Sequence, residues 1–178
     1  MKKYLLISIA GFVILGGAVF FFVSERSPTD FEATSSGTDR SDFDIFAKIS
    51  LKDYEGNTVS LEEFRGRPLV INSWAVWCPF CREELPTFVE LQKEFGDGII
   101  VIAIDRQEPL EKARGYTDGL GISDDMLFLL DSRDGFYKSI GGFSMPETIF
   151  VNSDGEIIVH KRGPMELREM REHVEKIL

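Results

Sequence analysis

The chain has 178 residues, of which 43% are hydrophobic, and it carries a formal net charge of −10 at pH 7. This length suits one domain plus an appendage, with enough apolar residues for a single packed core. The acidic balance argues against nucleic acid as a partner, because phosphate contacts need clustered lysine and arginine.

The N-terminal segment differs in kind from the rest of the chain. Residues 4–23 contain no charged side chain and follow Lys2 and Lys3. Twenty residues in a helix span roughly 30 Å, which is the hydrocarbon thickness of a bilayer. Because positive residues before such a span tend to stay in the cytoplasm, the sequence predicts a single transmembrane helix that anchors an extracytoplasmic domain in the cell membrane. A cleaved signal peptide is the alternative, and it would also export the domain.

A polar stretch follows the predicted membrane anchor of residues 1–23. Residues 24–44 are rich in Ser, Thr, Asp and Glu and poor in aliphatic side chains, which is typical of a flexible, solvated linker. The folded domain is predicted to occupy residues 45–178, where apolar residues recur with the periods of strands and helices.

The predicted elements of this domain alternate between strands and helices. Strands are predicted at 45–52, 58–59, 69–74, 99–104, 126–130, 148–151 and 156–160. Helices are predicted at 79–95, 109–120, 136–140 and 165–178. Ser60 and Glu63 have the spacing of a capping box and predict a brief helical turn between the first hairpin and the third strand. The order indicates an α/β domain with a mixed central sheet flanked by helices and an N-terminal hairpin extension.

The chain contains two cysteines, Cys78 and Cys81, and three kinds of site compete for them. A structural zinc site needs four ligands, but His160 and His173 are thirteen positions apart, so no metal is predicted and both histidines are expected on the surface. A structural disulfide across so small a loop would stabilise little, since the entropic gain grows with loop length. A redox couple is the favoured interpretation.

The redox interpretation has a physical basis in the predicted elements. The third strand ends just before Cys78, and a helix begins there, so the partial positive charge and free N–H groups of the helix N-terminus would stabilise a thiolate. Pro79 suits the first helical turn, where its missing N–H has no consequence. Cys78 is therefore predicted to be the exposed nucleophile, and Cys81 the shielded thiol that resolves the mixed disulfide.

The segment LVINSWAVWCPFCREELP, residues 69–86, resembles thioredoxin-like proteins, most closely the membrane-anchored extracytoplasmic thiol–disulfide reductases of the TlpA/ResA type. The resemblance covers roughly residues 45–178. It includes GNTVSLEEFRGRPLVIN, the W-x-x-W-C-x-x-C motif, the E-x-P pattern after it, and a proline before the last hairpin. It implies a thioredoxin-like fold and a thiol–disulfide oxidoreductase that works without a bound cofactor.

The resemblance also implies roles for particular positions. Cys78 and Cys81 match the redox pair, and Glu84 matches an acid that could exchange the proton of the resolving thiol. For Glu84 the alternative is a solvated residue on the helix surface. Pro146 matches the proline that the family holds cis beside the disulfide. The expected substrate-binding residues are Trp77, Pro79, Phe80, Met145 and Pro146.

Several positions depart from the family pattern. Asn72 stands where classical thioredoxins carry a buried aspartate, which leaves Glu84 the better candidate for proton exchange. The order Pro79-Phe80 between the cysteines leaves the direction of electron flow open. Met145 is either an apolar lip of the substrate groove or a core residue, and Glu108 matches a second family acid only loosely.

The predicted function is a membrane-tethered protein disulfide reductase. Its expected partners are protein disulfides, with apocytochrome c before haem attachment as one candidate, and a transmembrane thiol carrier as electron donor. An oxidase or isomerase with the same pair is the first alternative. A peroxiredoxin-type peroxidase is the second, although Ala75 stands where its motif has Thr. A redox-inert binding module is the least favoured.

Overall fold

The structure is a computed structural model that describes residues 41–178. The predicted anchor, residues 1–23, and residues 24–40 of the predicted linker lie outside the described residues. Within residues 41–178, no helix is both long enough and apolar enough to cross a bilayer.

A seven-stranded mixed sheet forms the centre of the domain. Its strands are β1 (Ser50–Asp53), β2 (Thr58–Ser60), β3 (Leu69–Trp74), β4 (Ile100–Arg106), β5 (Leu127–Asp131), β6 (Glu147–Val151) and β7 (Ile157–Arg162). The order across the sheet is β2-β1-β5-β4-β3-β6-β7. The pairs β3–β4 and β4–β5 are parallel, and the remaining pairs are antiparallel. The predicted mixed sheet, with its early hairpin β1–β2, is confirmed.

Within residues 41–178, four α-helices and three short 3₁₀ helices accompany the sheet. The α-helices are α1 (Pro79–Phe95), α2 (Leu110–Leu120), α3 (Gly135–Ser139) and α4 (Leu167–Val174), and the 3₁₀ helices are Asp42–Ile45, Leu61–Phe64 and Gly96–Gly98. The capping box is confirmed, since the Ser60 N–H donates to Glu63 Oε1 at 2.9 Å. The last helix is shorter than predicted, because α4 starts two residues after Met165 and ends at Val174.

The folded structure begins before the predicted boundary at Ile45. Phe43 and Phe46 are 1% and 0% exposed and pack in the core, and the Phe43 N–H donates to the Gly155 carbonyl at 2.8 Å. Residues 42–44 therefore belong to the domain and not to the linker. Two buried phenylalanines within four positions outweigh the polar composition around them, because each removes a large apolar surface from water.

Strand β3 is buried along its whole length, as its continuous apolar run predicts. Ile71 packs in the core on one face of the sheet, while Val70 packs with α1 and α4 in a second cluster on the other. The parallel register aligns Trp74 with Asp105, and the antiparallel register aligns Ser73 with Glu147. The chain leaving β3, the chain leaving β4 and the chain entering β6 therefore meet at one edge of the sheet.

Candidate active site

Cys78 and Cys81 form a disulfide at this edge, where β3 passes into α1. Cys78 is the N-cap of α1, and its Sγ accepts the N–H of Cys81 at 3.2 Å. A turn before the helix is closed by the Cys78 N–H, which donates to the Ala75 carbonyl at 3.1 Å. Pro79 then occupies the first helical position, as predicted, where no N–H is needed. The sequence therefore places the pair at a helix N-terminus for local reasons.

Both sulfur-bearing residues are shielded from solvent in this disulfide form. Cys78 is 3% exposed and Cys81 is 0% exposed, and both pack in a cluster with Trp74 and Leu85. The expected exposure of Cys78 is therefore not found in the oxidised state. The reason is that Cys78, at the N-cap of α1, packs against the apolar cluster that contains Trp74 and Leu85.

Glu84 lies one helical turn after Cys81 and is buried, with 3% of its surface exposed. Its Oε1 accepts a hydrogen bond from Asn72 Nδ2 at 3.0 Å, and its Oε2 accepts the Met165 N–H at 3.2 Å. Burial raises the pKa of Glu84 to about 8, although these two hydrogen bonds act in the opposite direction. The interpretation of Glu84 as a solvated surface residue is wrong.

Asn72 connects the elements around this carboxyl group. Its Nδ2 donates to Thr148 Oγ1 at 3.0 Å as well as to Glu84, so one amide joins β3, α1 and β6. Within residues 41–178, its Oδ1 has no hydrogen-bond partner. An amide at this position supplies a neutral donor to Glu84, where a carboxylate would repel it.

A second acidic group lies at the end of β4. Glu108 Oε2 accepts the Val76 N–H at 2.6 Å, and its other oxygen pairs with Lys112. The Glu108 N–H donates to Asp105 Oδ1 at 3.1 Å. Glu108 thereby holds the backbone two residues before Cys78.

The pKa values of Asp105 and Glu108 are shifted in opposite directions. Burial, together with the neighbouring Glu108, raises the pKa of Asp105 to about 8. Burial also acts to raise the pKa of Glu108, but Lys112 and the Val76 N–H outweigh it and lower that pKa below its usual range. The sequence analysis missed Asp105; the available signal was an aspartate directly after a predicted buried strand.

The predicted substrate-binding residues differ in their exposure to solvent. Trp77 and Phe80 are 58% and 56% exposed, and Pro79 is exposed beside them. Met145 is partly buried and packs against the cluster that contains both cysteines, and its place in a substrate groove stays a prediction. Pro146 is buried, and its peptide bond to Met145 is cis, as the resemblance implied.

A groove of about 690 Å³ opens beside this site, between α1 and the start of α4. Phe80, Met165 and Leu167 provide apolar walls, and Glu84 borders the groove. The groove gives the buried carboxyl group a neighbouring space that a substrate chain could approach.

Comparison with known proteins places the site among thiol–disulfide enzymes. The Redoxin family model matches residues 34–178. The thiol-disulfide oxidoreductase ResA of Bacillus thuringiensis is 25% identical over 177 residues, covering 99% of this chain and 98% of that protein. ResA of Halalkalibacterium halodurans is 30% identical over 128 residues, which cover 71% of this chain and 72% of that protein.

A solved structure supports the fold. MTB DsbF, determined in mixed oxidised and reduced forms, superposes with a TM-score of 0.70 at 20% identity. The superposition covers 75% of this chain and 98% of that one. The described domain therefore has the predicted thioredoxin-like α/β fold.

Proposed function

This chain belongs to the Redoxin family and is a thiol–disulfide oxidoreductase, and we propose that it acts as a protein disulfide reductase outside the cytoplasm. The observation that carries the proposal is that one helix holds both the disulfide and a buried acid. The acid lies one helical turn after the second cysteine. Cys78 caps α1 in a disulfide with Cys81, and Glu84 lies buried on the same helix. These groups supply a nucleophile, a resolving thiol and a proton exchanger.

The first step is attack by Cys78 in the reduced protein. The N-terminus of α1 would stabilise its thiolate, because Sγ lies at the positive end of the helix and already accepts the Cys81 N–H in the disulfide form. The thiolate attacks one sulfur of a substrate disulfide and forms a mixed disulfide. The other substrate sulfur leaves as a thiolate and takes up a proton from water.

The second step releases the substrate. Cys81 gives its proton to the Glu84 carboxylate and attacks Cys78 Sγ, and the second substrate sulfur leaves as a thiolate. The substrate has then gained two electrons, and the protein carries the Cys78–Cys81 disulfide with Glu84 protonated. A pKa of about 8 for Glu84 in the disulfide form favours this product state at neutral pH and lies close to the reference thiol value of roughly 8.5.

The oxidised protein must then be reduced again. We propose a transmembrane thiol carrier as the electron donor, with residues 1–23 holding the domain at the membrane where such a carrier is accessible. The substrate class is an exported protein disulfide, and apocytochrome c before haem attachment is one candidate that the TlpA/ResA resemblance supports. Trp77, Phe80, Met145 and Pro146 would contact that substrate.

Single-cysteine variants test the reductase mechanism. Cys81→Ser should accumulate covalent adducts with protein substrates that disappear on adding dithiothreitol, because attack occurs without resolution. Cys78→Ser should form none. Equal trapping by both variants, or by neither, would exclude the mechanism. A peroxidase would instead retain peroxide consumption with Cys78 alone, and a net oxidase would leave more disulfide in a reduced test protein.

A further inference from the structure

The segment Phe143–Pro146 lies at the active-site edge and enters β6. The register aligns Glu147 with Ser73, one residue before the end of β3, and β3 leads directly to the turn that carries Cys78. Met145 packs against the cluster that contains both cysteines. A substrate that reaches the disulfide therefore comes close to this segment.

Glu147 organises the segment with both of its carboxylate oxygens. Oε2 accepts the N–H of Phe143 at 2.9 Å and the N–H of Ser144 at 3.1 Å. Oε1 lies 3.0 Å from Arg162 Nε and 2.7 Å from His160 Nε2. The side chain is fully buried, and an isolated buried carboxylate is strongly unfavourable unless it is paired and hydrogen-bonded. Oε2 accepts two backbone hydrogen bonds, whereas Oε1 lies within ion-pair distance of Arg162 and His160 but has no hydrogen-bond partner within residues 41–178.

His160 differs from what the sequence predicted. Its side chain is 21% exposed and faces the buried carboxylate of Glu147, so it is not an ordinary surface residue. Glu147 was not among the predicted site residues. Its burial follows from strand pairing with β3, which no local pattern encodes.

Phe143 is the exposed residue that this network holds. Its side chain is 82% exposed, the highest value among the large exposed apolar residues from 41 to 178. The Arg162 guanidinium carbon lies 5.8 Å from its ring centroid, which is within the range of a cation–π contact. Glu147 therefore fixes Phe143 twice, through its backbone N–H and through the arginine that contacts its ring.

The segment is also held from its other side. The Tyr137 hydroxyl donates to the Ser144 carbonyl at 2.7 Å. The Tyr137 ring packs against Gly142 so closely that a Cβ at that position would lie 2.5 Å from the ring carbons. The backbone that carries Phe143 is thus fixed before a substrate arrives, and a prearranged contact loses less entropy on binding.

We propose that Phe143 contacts the protein substrate during disulfide exchange and that Glu147 is a positioning residue that fixes its ring at the rim of the active site. The inference rests on the proposed reductase function. With Trp77 and Phe80 exposed next to Cys78, the rim presents aromatic side chains from two parts of the chain. It would select protein disulfides whose cysteines are flanked by apolar residues over small hydrophilic disulfides.

The test compares two disulfides in the full chain. Insulin is the protein substrate, reduced over repeated turnovers with dithiothreitol as the electron donor, and 5,5′-dithiobis(2-nitrobenzoic acid) is the small one, reduced in a single turnover by chain that has been reduced and then freed of dithiothreitol. Phe143→Ala should raise KM for insulin roughly fivefold to tenfold, from the lost apolar contact, with kcat unchanged. The rate with the small disulfide should stay at the wild-type value. Phe143→Tyr should restore KM, and Ile45→Ala, an exposed apolar residue in the Asp42–Ile45 3₁₀ helix, serves as the matched control.

The positioning role has its own variants. Arg162→Gln removes the ring contact and keeps the hydrogen bonds from Phe143 and Ser144, so it should raise KM for insulin less than Phe143→Ala does. Glu147→Gln removes the negative charge that lies beside Arg162 and His160, and it should raise KM for insulin while sparing the small disulfide. Equal loss of both activities in Glu147→Gln and Arg162→Gln would mean that the network is merely structural and would reject the positioning role.

The outcomes separate this inference from the function on which it rests. If the wild-type chain reduces both disulfides and Phe143→Ala has the same KM for insulin as the wild type, the substrate contact is rejected. The reductase function is then unaffected. Failure of the wild-type chain to reduce either disulfide would reject the reductase function, and the inference with it.

Discussion

Buried carboxyl groups lie on both sides of β3, and the protein holds them in different ways. On the β6 side, the hydrogen-bond donors to Glu84 are neutral, a side-chain amide and a backbone N–H. On the β4 side, Glu108 pairs with the Lys112 ammonium group and has Asp105 beside it. Both sides adjoin the turn and helix that carry the cysteines.

Each side holds one carboxyl group whose pKa burial raises to about 8, Glu84 on the β6 side and Asp105 on the β4 side, and Glu84 is the one that lies on α1 one turn after Cys81. Neutral donors compensate burial only in part, so the pKa of Glu84 rises to about 8 and the group gains or loses a proton near neutral pH. Lys112 keeps Glu108 ionised, and the burial penalty then falls on Asp105. We infer that Glu84 serves proton transfer, whereas Glu108 serves as a fixed anchor for the Val76 backbone.

The largest effect is expected from Glu84→Gln. Without a group that accepts the Cys81 proton, resolution of the mixed disulfide should slow by about 10²-fold or more, while attack by Cys78 proceeds at its normal rate. Rapid acid quenching would measure the lifetime of the mixed disulfide. Glu83→Gln, at an exposed position next to it, is the matched control. An unchanged lifetime in Glu84→Gln would remove Glu84 from the mechanism.

Loss of the Glu108 anchor on the β4 side should destabilise the folded protein. Glu108→Ala removes the acceptor of the Val76 N–H and should lower the free energy of unfolding by about 1.5–3 kcal/mol, the usual range for hydrogen bonds to charged groups. Its mixed-disulfide lifetime should change far less than that of Glu84→Gln. Urea titration of the oxidised protein measures the loss, with the exposed Glu111→Ala on α2 as control. If Glu108→Ala instead matches Glu84→Gln in slowing resolution, the division of roles is wrong.

The pH dependence of the free energy of unfolding tests whether Glu84 holds a proton in the folded state. The folded pKa of Glu84, about 8, lies above the ordinary glutamate value of 4.5, so between these values the folded state binds more protons than the unfolded state. The contribution is complete below about pH 4.5 and is lost as the pH rises to about 8, with a slope approaching 1.4 kcal/mol per pH unit. Asp105 contributes to the same pH range, so the test is the difference between the wild type and Glu84→Gln in unfolding at several pH values: the free energy of unfolding should fall with pH less steeply in Glu84→Gln, by up to about 1.4 kcal/mol per pH unit. Parallel curves for the two proteins would refute it.

The sequence predicted the parts of this molecule that follow from local chemistry. The capping box at Ser60, the buried run of β3 and the cysteine at the start of α1 are each specified within a few neighbouring residues. The boundary of the domain was placed too late, because Phe43 is buried by contacts with distant core residues and not by its polar neighbours.

Other features of the site depend on contacts between distant segments. The burial of Glu84 follows from its meeting with Asn72 and Met165, which lie 12 and 81 positions away. The network around Glu147 likewise requires β7 to lie next to β6. Sequence patterns reveal acidic residues at such positions, but their pKa and partners emerge only when the strands and helices are assembled.

The central claim is that Glu84 holds a proton near neutral pH in the disulfide form. Carbon-13 NMR of glutamate-labelled oxidised protein can follow its carboxyl signal through a pH titration, with the signal assigned by its loss in Glu84→Gln. We predict a midpoint near 8 for this carboxyl group. A midpoint near the ordinary glutamate value of 4.5 would exclude the proposed role, because a carboxylate that stays ionised at neutral pH could not retain the proton of Cys81.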